Sequence, residues 1–248
     1  MRRLAFCLLV LLAGYPTHAQ WGPYMLDTIS FEEPYEYLVI DTLPGNIWQI
    51  GPPEKVIFDS AFTLPNAIVT DKLNTYPVGN HSRFILKIGE FNYEYYYPYN
   101  IFMEITHKYH TDTLMDGGYI TVSYDNGLSW MNIINDTVYE EMTPAGENEN
   151  LYSEMNTLYN GEYGFSGNSG GWVTTWYTWH YIPVDNLWEP GDTMMIGFNF
   201  ISDSIETNKD GWMIDNIILY AEDLGGSIDE RTIPEVDLYP NPARDRIS

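Results

Sequence analysis

Between residues 101 and 109 the chain alternates strictly. Ile101, Met103, Ile105, His107 and Tyr109 fall on one parity, and Phe102, Glu104, Thr106 and Lys108 on the other. A period of two belongs to an extended strand, whose side chains point to opposite faces in turn. The same pattern runs through 118–124, and again through 193–201, where Met194, Ile196, Phe198 and Phe200 share one side. Segment 172–182 is aromatic on both parities, with Trp176 and Trp179 on opposite ones. Further strands are predicted over 56–62, 67–70 and 83–88. Asp125-Asn126-Gly127 follows one of the strands as a hairpin turn, where positive φ costs little. No window of helical length carries an apolar stripe. Many short strands separated by Gly, Pro, Asn and Asp predict an all-β sandwich in one main domain.

The last long strand poses a chemical problem. In "KDGWMIDNIILY", residues 209–220, alternation places Met213, Asp215, Ile217 and Leu219 on one face and Trp212, Ile214, Ile218 and Tyr220 on the other. Both faces are apolar, so Asp215 needs a partner: an isolated buried carboxylate costs several kcal/mol. Basic partners are few. From Gln20 to Gly225 only Lys55, Lys72, Arg83, Lys87, Lys108 and Lys209 are basic, within a chain of net charge −24. That balance excludes nucleic acid as a partner, for want of a basic surface to neutralise phosphates.

Two readings of Asp215 stand. A hard cation such as Ca²⁺ takes six to eight oxygens from carboxylates, amides and carbonyls, and Asp210 and Asp116, each just before glycines, are further candidate ligands. Alternatively Asp215 accepts backbone N–H bonds while Asp210 and Asp116 cap turns.

The N-terminus reads MRRLAFCLLVLLAGYPTHAQ. Arg2 and Arg3 precede an apolar run from Leu4 to Ala13, and Thr17-His18-Ala19 offers a small residue for cleavage. This predicts a signal peptide over residues 1–19 and an exported chain that does not span the membrane. The single cysteine, Cys7, lies inside it, so the remainder has no disulfide and must be held by its core, with metal ions as the available aid. The sandwich is predicted over 20–223 and a polar, glycine-bearing linker over 224–235.

Two family resemblances follow from particular residues. "LYPNPARDRIS" (238–248) resembles the opening of the C-terminal sorting domain of the type IX secretion system. The resemblance implies a Bacteroidetes-type source, delivery through that machinery and a place outside the cell or on its outer surface. That domain normally runs on for several strands, so 236–248 is expected to be a truncated start. "MDGGYITVSYDNGLSW" (115–130), "GFSGNSGGW" (164–172) and "SDSIETNKDGWMIDNIIL" (202–219) resemble, in that order, cleaved-adhesin and choice-of-anchor domains, with MAM domains more distant. This second resemblance implies a galactose-binding-like jelly roll, structural calcium, and adhesion or carbohydrate binding. Accessory domains of secreted proteases share it. By this likeness alone Glu32, in "SFEE", joins the calcium candidates.

Other residues carry weaker chemistry. "GNSGG" (167–171) satisfies G-x-S-x-G, but Ser169 lacks a strand-to-helix context or a recognisable histidine motif, and is read as a loop residue. His107 and His110, three apart on a strand, face opposite ways and do not pair on a zinc ion. Glu140-Glu141 and Glu147/Glu149 are read as a solvated acidic stretch rather than a glycosidase pair. In the run 91–99, Tyr95, Tyr96, Tyr97 and Tyr99 are candidates for stacking on sugar rings. The expected function is a secreted, non-catalytic, calcium-stabilised binding module for a glycan or an extracellular protein. The alternative is an accessory or catalytic domain of a secreted hydrolase or protease.

Overall fold

A computed structural model describes residues 24–90, 99–136, 148–181 and 193–223. The predicted signal peptide, linker and sorting segment lie outside these residues. The described elements are twelve strands and one short 3-10 turn, Ile133–Asn135. In chain order they are β1 (Tyr24–Ile29), β2 (Leu38–Ile40), β3 (Trp48–Gly51), β4 (Ala67–Thr70), β5 (His81–Glu90), β6 (Tyr99–His110), β7 (Gly117–Ser123), β8 (Met131–Asn132), β9 (Asn148–Glu149), β10 (Val173–Tyr181), β11 (Thr193–Ile201) and β12 (Gly211–Asp223). No described helix is long and apolar enough to cross a membrane.

The strands form two antiparallel sheets. One has seven strands in the order β3-β4-β12-β6-β10-β9, with β1 also on β12; the other has five, ordered β2-β5-β11-β7-β8. From β4 onward the chain passes repeatedly from one sheet to the other, which is jelly-roll wiring. The predicted strands at 67–70, 83–88, 101–109, 118–124, 172–182, 193–201 and 209–220 all appear within a few residues of their expected ends. The turn after β7 holds Asn126 and Gly127 at φ 60° and 83°, as its sequence requires.

Segment 56–62 is not a strand. Its N–H groups at Ile57 and Phe58 go to the Asp210 carboxylate, both at 2.9 Å, and so never enter a ladder. Val56 is left 94% exposed while Phe58 is fully buried against Ala67, Val69 and Met213 on the outer side of the seven-stranded sheet. One well-placed acceptor outweighs the β-propensity of the local residues.

The strict alternation assigned to β12 also fails, at one residue. Asp215 pairs with Thr106 and Ile217 with Ile105, so Asn216 is an extra, unpaired residue at φ 60°. This β-bulge exchanges the two faces of the strand. Trp212 and Ile214 before it, and Ile217 and Leu219 after it, all point into the main core. Met213 points away from that core, into the cluster around Phe58, and Ile218 and Tyr220 are only half-buried. The expected grouping of Met213 and Asp215 with Ile217 and Leu219 is thereby corrected.

The core is aromatic. Phe84 of β5 and Phe198 of β11 stack at 4.5 Å, and the buried Trp212 meets Trp48 of its own sheet, Phe198 of the opposite one and Phe165. Its indole N–H donates to His107 Nδ1 at 3.0 Å, while His107 Nε2 lies 2.8 Å from Thr175 Oγ1. Nδ1 is therefore the acceptor, so the proton sits on Nε2 and is donated to the threonine. Burial holds His107 neutral, with its pKa lowered to about 3. Trp212 has room because β7 carries Gly118 opposite it: a Cβ there would stand 2.0 Å from ring atom Cε3.

Candidate functional site

The four candidate calcium ligands are not brought into one group, and the described residues contain no cluster of three or more His, Cys, Asp or Glu side chains suited to a metal. Asp210 is spent on the Ile57 and Phe58 amides. Asp116 accepts from Tyr76 Oη at 2.6 Å and from the Asp203 amide at 2.7 Å, and burial pushes its pKa up. Each of these two binds a loop to the sandwich through hydrogen bonds, which is why neither joins Asp215.

Asp215 and Glu32 do converge on a common target. Asp215, fully buried, accepts from the Thr63 amide at 2.6 Å and from Thr63 Oγ1 at 2.9 Å. Burial raises its pKa, and the bonds from Thr63, Phe62 and Asn216 act against that rise. Glu32 grips the other end of the same short segment, accepting from Asn66 N and Asn66 Nδ2, both at 2.9 Å. Asn216, the bulge residue, adds its Oδ1 at 3.3 Å from Thr63 Oγ1.

Scarcity of basic residues does not leave every acid alone. Lys55 is buried behind Asp210 and Asp71, donates to the Thr70 and Asp210 carbonyls, and has its pKa lowered by burial to about 8. Lys108 donates to the Ile57 carbonyl, Lys209 pairs with Asp112 at 3.4 Å, and Arg83 with Asp41 at 2.8 Å.

Tyr95, Tyr96 and Tyr97 lie outside the described residues. Tyr99 opens β6, paired with Tyr181 and Asp223; its side chain is outside them too. Ser169 donates to the Gly171 carbonyl at 2.6 Å and accepts from the Tyr109 amide at 3.2 Å, as a loop-closing residue does. His107 is core, and His110 Nδ1 accepts from the Asp210 amide at 3.3 Å. Glu140, Glu141 and Glu147 are outside the described residues, while Glu149 sits on the edge strand β9.

A concave site lies elsewhere, on the outer face of the five-stranded sheet. Its cavity of about 250 Å³ is lined by His81 and Arg83 of β5, Tyr119 and Thr121 of β7, Asn199 of β11, Trp130, Asn132, Glu162 and Leu43. These strand residues alternate with the core residues Phe84, Ile120 and Phe198, so pairing sets their outward side chains side by side. Trp130 is the centrepiece. Its Nε1–H donates to the Gly127 carbonyl at 3.0 Å, and the Arg83 guanidinium lies 4.8 Å from the ring centroid. The ring reaches across the sheet because Gly197 lies beneath it: a Cβ there would be 3.0 Å from Cζ3 of the indole.

Around the ring stand polar groups, held in place by bonds to one another. Asn132 Nδ2 donates to Glu162 Oε2 at 3.1 Å and to the Tyr163 carbonyl at 2.8 Å. Asn199 Nδ2 donates to Thr121 Oγ1 at 3.0 Å. Arg83 Nε is buried and meets no acceptor. Burial, with Glu162 adding to it, pushes the Tyr119 phenol up to about 12, so it stays a neutral hydroxyl. The arrangement is an aromatic platform ringed by hydrogen-bonding groups of both kinds.

No family model matches the chain, and no curated protein matches it. Among solved structures it is similar to the xylan-binding domain CBM22-1 of Xyn10C from Paenibacillus barcinonensis. The identity is 11% and the TM-score 0.44, over 84% of this chain and 100% of that one. It is similar also to CBM27-1 of Caldicellulosiruptor saccharolyticus, solved with mannohexaose, at 13% identity and a TM-score of 0.34 over 79% of this chain and 96% of that one. A third is the Stig cyclase Fisc from Fischerella sp. TAU, at 13% and 0.39, over 82% of this chain and 99% of that one. These likenesses concern the two-sheet fold and say nothing of this chain's ligand.

Proposed function

We propose that this chain is an exported, non-catalytic binding module that takes a glycan on the outer face of its five-stranded sheet. The observation that carries the reading is Trp130, held over Gly197 by Arg83 and surrounded by Asn132, Asn199 and Glu162. A sugar ring offers an apolar face for an indole and hydroxyls that both donate and accept, and this cavity supplies the complement of each. The predicted signal peptide and the sorting-like tail supply the export half of the proposal, and place the module outside the cell or on its surface.

The test is an oligosaccharide array followed by calorimetry on each binder. Trp130→Ala is expected to weaken binding about five- to 150-fold, since an aromatic contact of this kind contributes about 1–3 kcal/mol. Far-UV circular dichroism should be unchanged. A binder whose affinity ignores Trp130→Ala, or an array without any binder, would end the proposal.

Calcium belongs to the same proposal, at the segment 63–66. Thr63 Oγ1 faces two acceptor oxygens, on Asp215 and Asn216, with one proton to give. An oxygen-rich corner short of protons fits a hard cation. Asp215, Asn216 and Thr63 would hold it, while Glu32 keeps its bonds to Asn66 at the other end of the segment; its role would be to tie the loop to β12. With Ca²⁺ at a hundredfold excess over Kd, binding adds about 2.7 kcal/mol, which is roughly 5–10 °C in Tm for a domain of this size. Chelator should reverse the gain and Asp215→Asn should abolish it. A melting curve indifferent to Ca²⁺ would remove calcium from the account and leave the glycan proposal standing.

A further inference from the structure

The opposite sheet also presents rings to the outside. On the outer face of the seven-stranded sheet, Phe102, Glu104, Trp176 and Tyr220 line a cavity of about 290 Å³. Register places them in a compact grid. Tyr220 pairs with Phe102 in one row, and in the next Ile218 pairs with Glu104, Glu104 with Trp176, and Trp176 with Glu149. All the strands concerned belong to the centre and one edge of the sheet, so the grid is rigid.

The polar chemistry of this grid is one-sided. Glu149 Oε2 accepts the Trp176 indole N–H at 2.9 Å, which fixes the plane of that ring. Glu104 is half-buried between aromatic neighbours, and no described residue gives it a hydrogen bond or an ion pair. The described basic side chains that make polar contacts are engaged elsewhere: Lys55, Lys108, Lys209 and Arg83 hold carbonyls or other acids. Thr178, beside Phe102 in register, has a buried Oγ1 without a partner. Among the described residues the lining therefore offers ring faces, a carboxylate and the hydroxyls of Tyr220 and Thr178, with no cationic or amide group.

What sets this face apart is its charge: a half-buried carboxylate without a described partner, set among π faces, is the complement of an organic cation. We propose that this face binds an organic cation of the alkylammonium class, seated among Phe102, Trp176 and Tyr220 with Glu104 as its counter-ion. The ligand is a quaternary or methylated ammonium group, free or on a larger molecule. The chain's net charge of −24 draws such cations toward it and repels anionic competitors. The site lies on the other sheet from Trp130 and does not depend on glycan binding there.

The experiment titrates the whole chain with choline and with 3,3-dimethylbutan-1-ol, its uncharged isostere, following tryptophan fluorescence and heat. Choline is expected to bind, and the isostere to bind about tenfold more weakly or not at all. Glu104→Gln should remove that preference, and Trp176→Leu should abolish binding, while Trp130→Ala leaves both unchanged. Equal affinity for choline and its isostere would reduce the site to an apolar hollow and overturn the assignment. So would absence of choline binding, or displacement of choline by an uncharged oligosaccharide. Because Glu104 and Trp176 face outward, both variants should fold, and unchanged thermal unfolding confirms that the loss is local.

Discussion

Gly118→Ala is expected to lower stability by roughly 3 kcal/mol or more, at the upper end of what overpacking costs. The added Cβ would lie 2.0 Å from Cε3 of Trp212 and 2.5 Å from two further ring atoms. Neither side can give way. Trp212 is wedged by Trp48, Phe165 and Phe198 and tied by its N–H to His107. Gly118 exchanges backbone bonds with Phe165, at 3.0 and 2.7 Å, besides pairing with Phe200. Urea denaturation measures the effect as a lower midpoint at an unchanged slope. Gly171→Ala, where a Cβ meets nothing within 4 Å, is the control and should be close to neutral. Equal midpoints for the two variants would mean that the Trp212 packing described here is wrong.

The second large effect is acid sensitivity through His107. Its folded pKa of about 3 lies below the ordinary value of 6.5 because burial disfavours the imidazolium. Between those values the unfolded chain takes up a proton that the folded chain refuses, so stability falls as pH falls. The full separation corresponds to about 5 kcal/mol, of which roughly 2 kcal/mol is lost between pH 6.5 and pH 5. Asp116 and Asp215 act in the opposite direction, because their raised pKa values let the folded state bind protons first. His110, whose pKa burial also lowers, acts in the same direction as His107, so it is the comparison with a His107 variant that isolates this residue. His107→Gln, which retains an acceptor and a donor but does not titrate, should be less stable at pH 7 and flatter in its response. A parallel pH dependence of Tm in the two proteins would exclude His107 as the cause.

Most of the strand framework was legible because alternation is a local property, and pairing partners merely reinforce it. Where reading failed, a distant group had intervened. Nothing within 56–62 announces that Asp210, some 150 positions on, takes its amides. Nothing in "MIDNII" distinguishes a bulge at Asn216 from plain alternation, because asparagine enters the left-handed region only when its surroundings favour it. The Trp130 site was missed for a related reason. His81, Arg83, Thr121 and Asn199 are each an ordinary outward residue of an alternating strand, and only the β5-β11-β7 register makes them neighbours. One signal was present: Gly197, a small residue on the polar parity of an otherwise bulky strand, marks a place where something large crosses the sheet. The buried carboxylate of Asp215 was correctly flagged, and the segment that answers it, 63–66, carried no mark of its own.

The position of β12 has a consequence in time. This last strand of the sandwich lies inside its sheet, between β6 on one side and β4 and β1 on the other. It also delivers Trp212 to the middle of the core. A chain emerging from its N-terminus cannot close the seven-stranded sheet until residue 211 and those after it have appeared. Until then β6 and β4 present open hydrogen-bonding edges with no strand between them. Closure of this sandwich is thus deferred until β12 has appeared, when all of its other described strands are already available. For a protein proposed to leave the cytoplasm, that delay keeps it threadable, and makes the final strand a latch that shuts after passage.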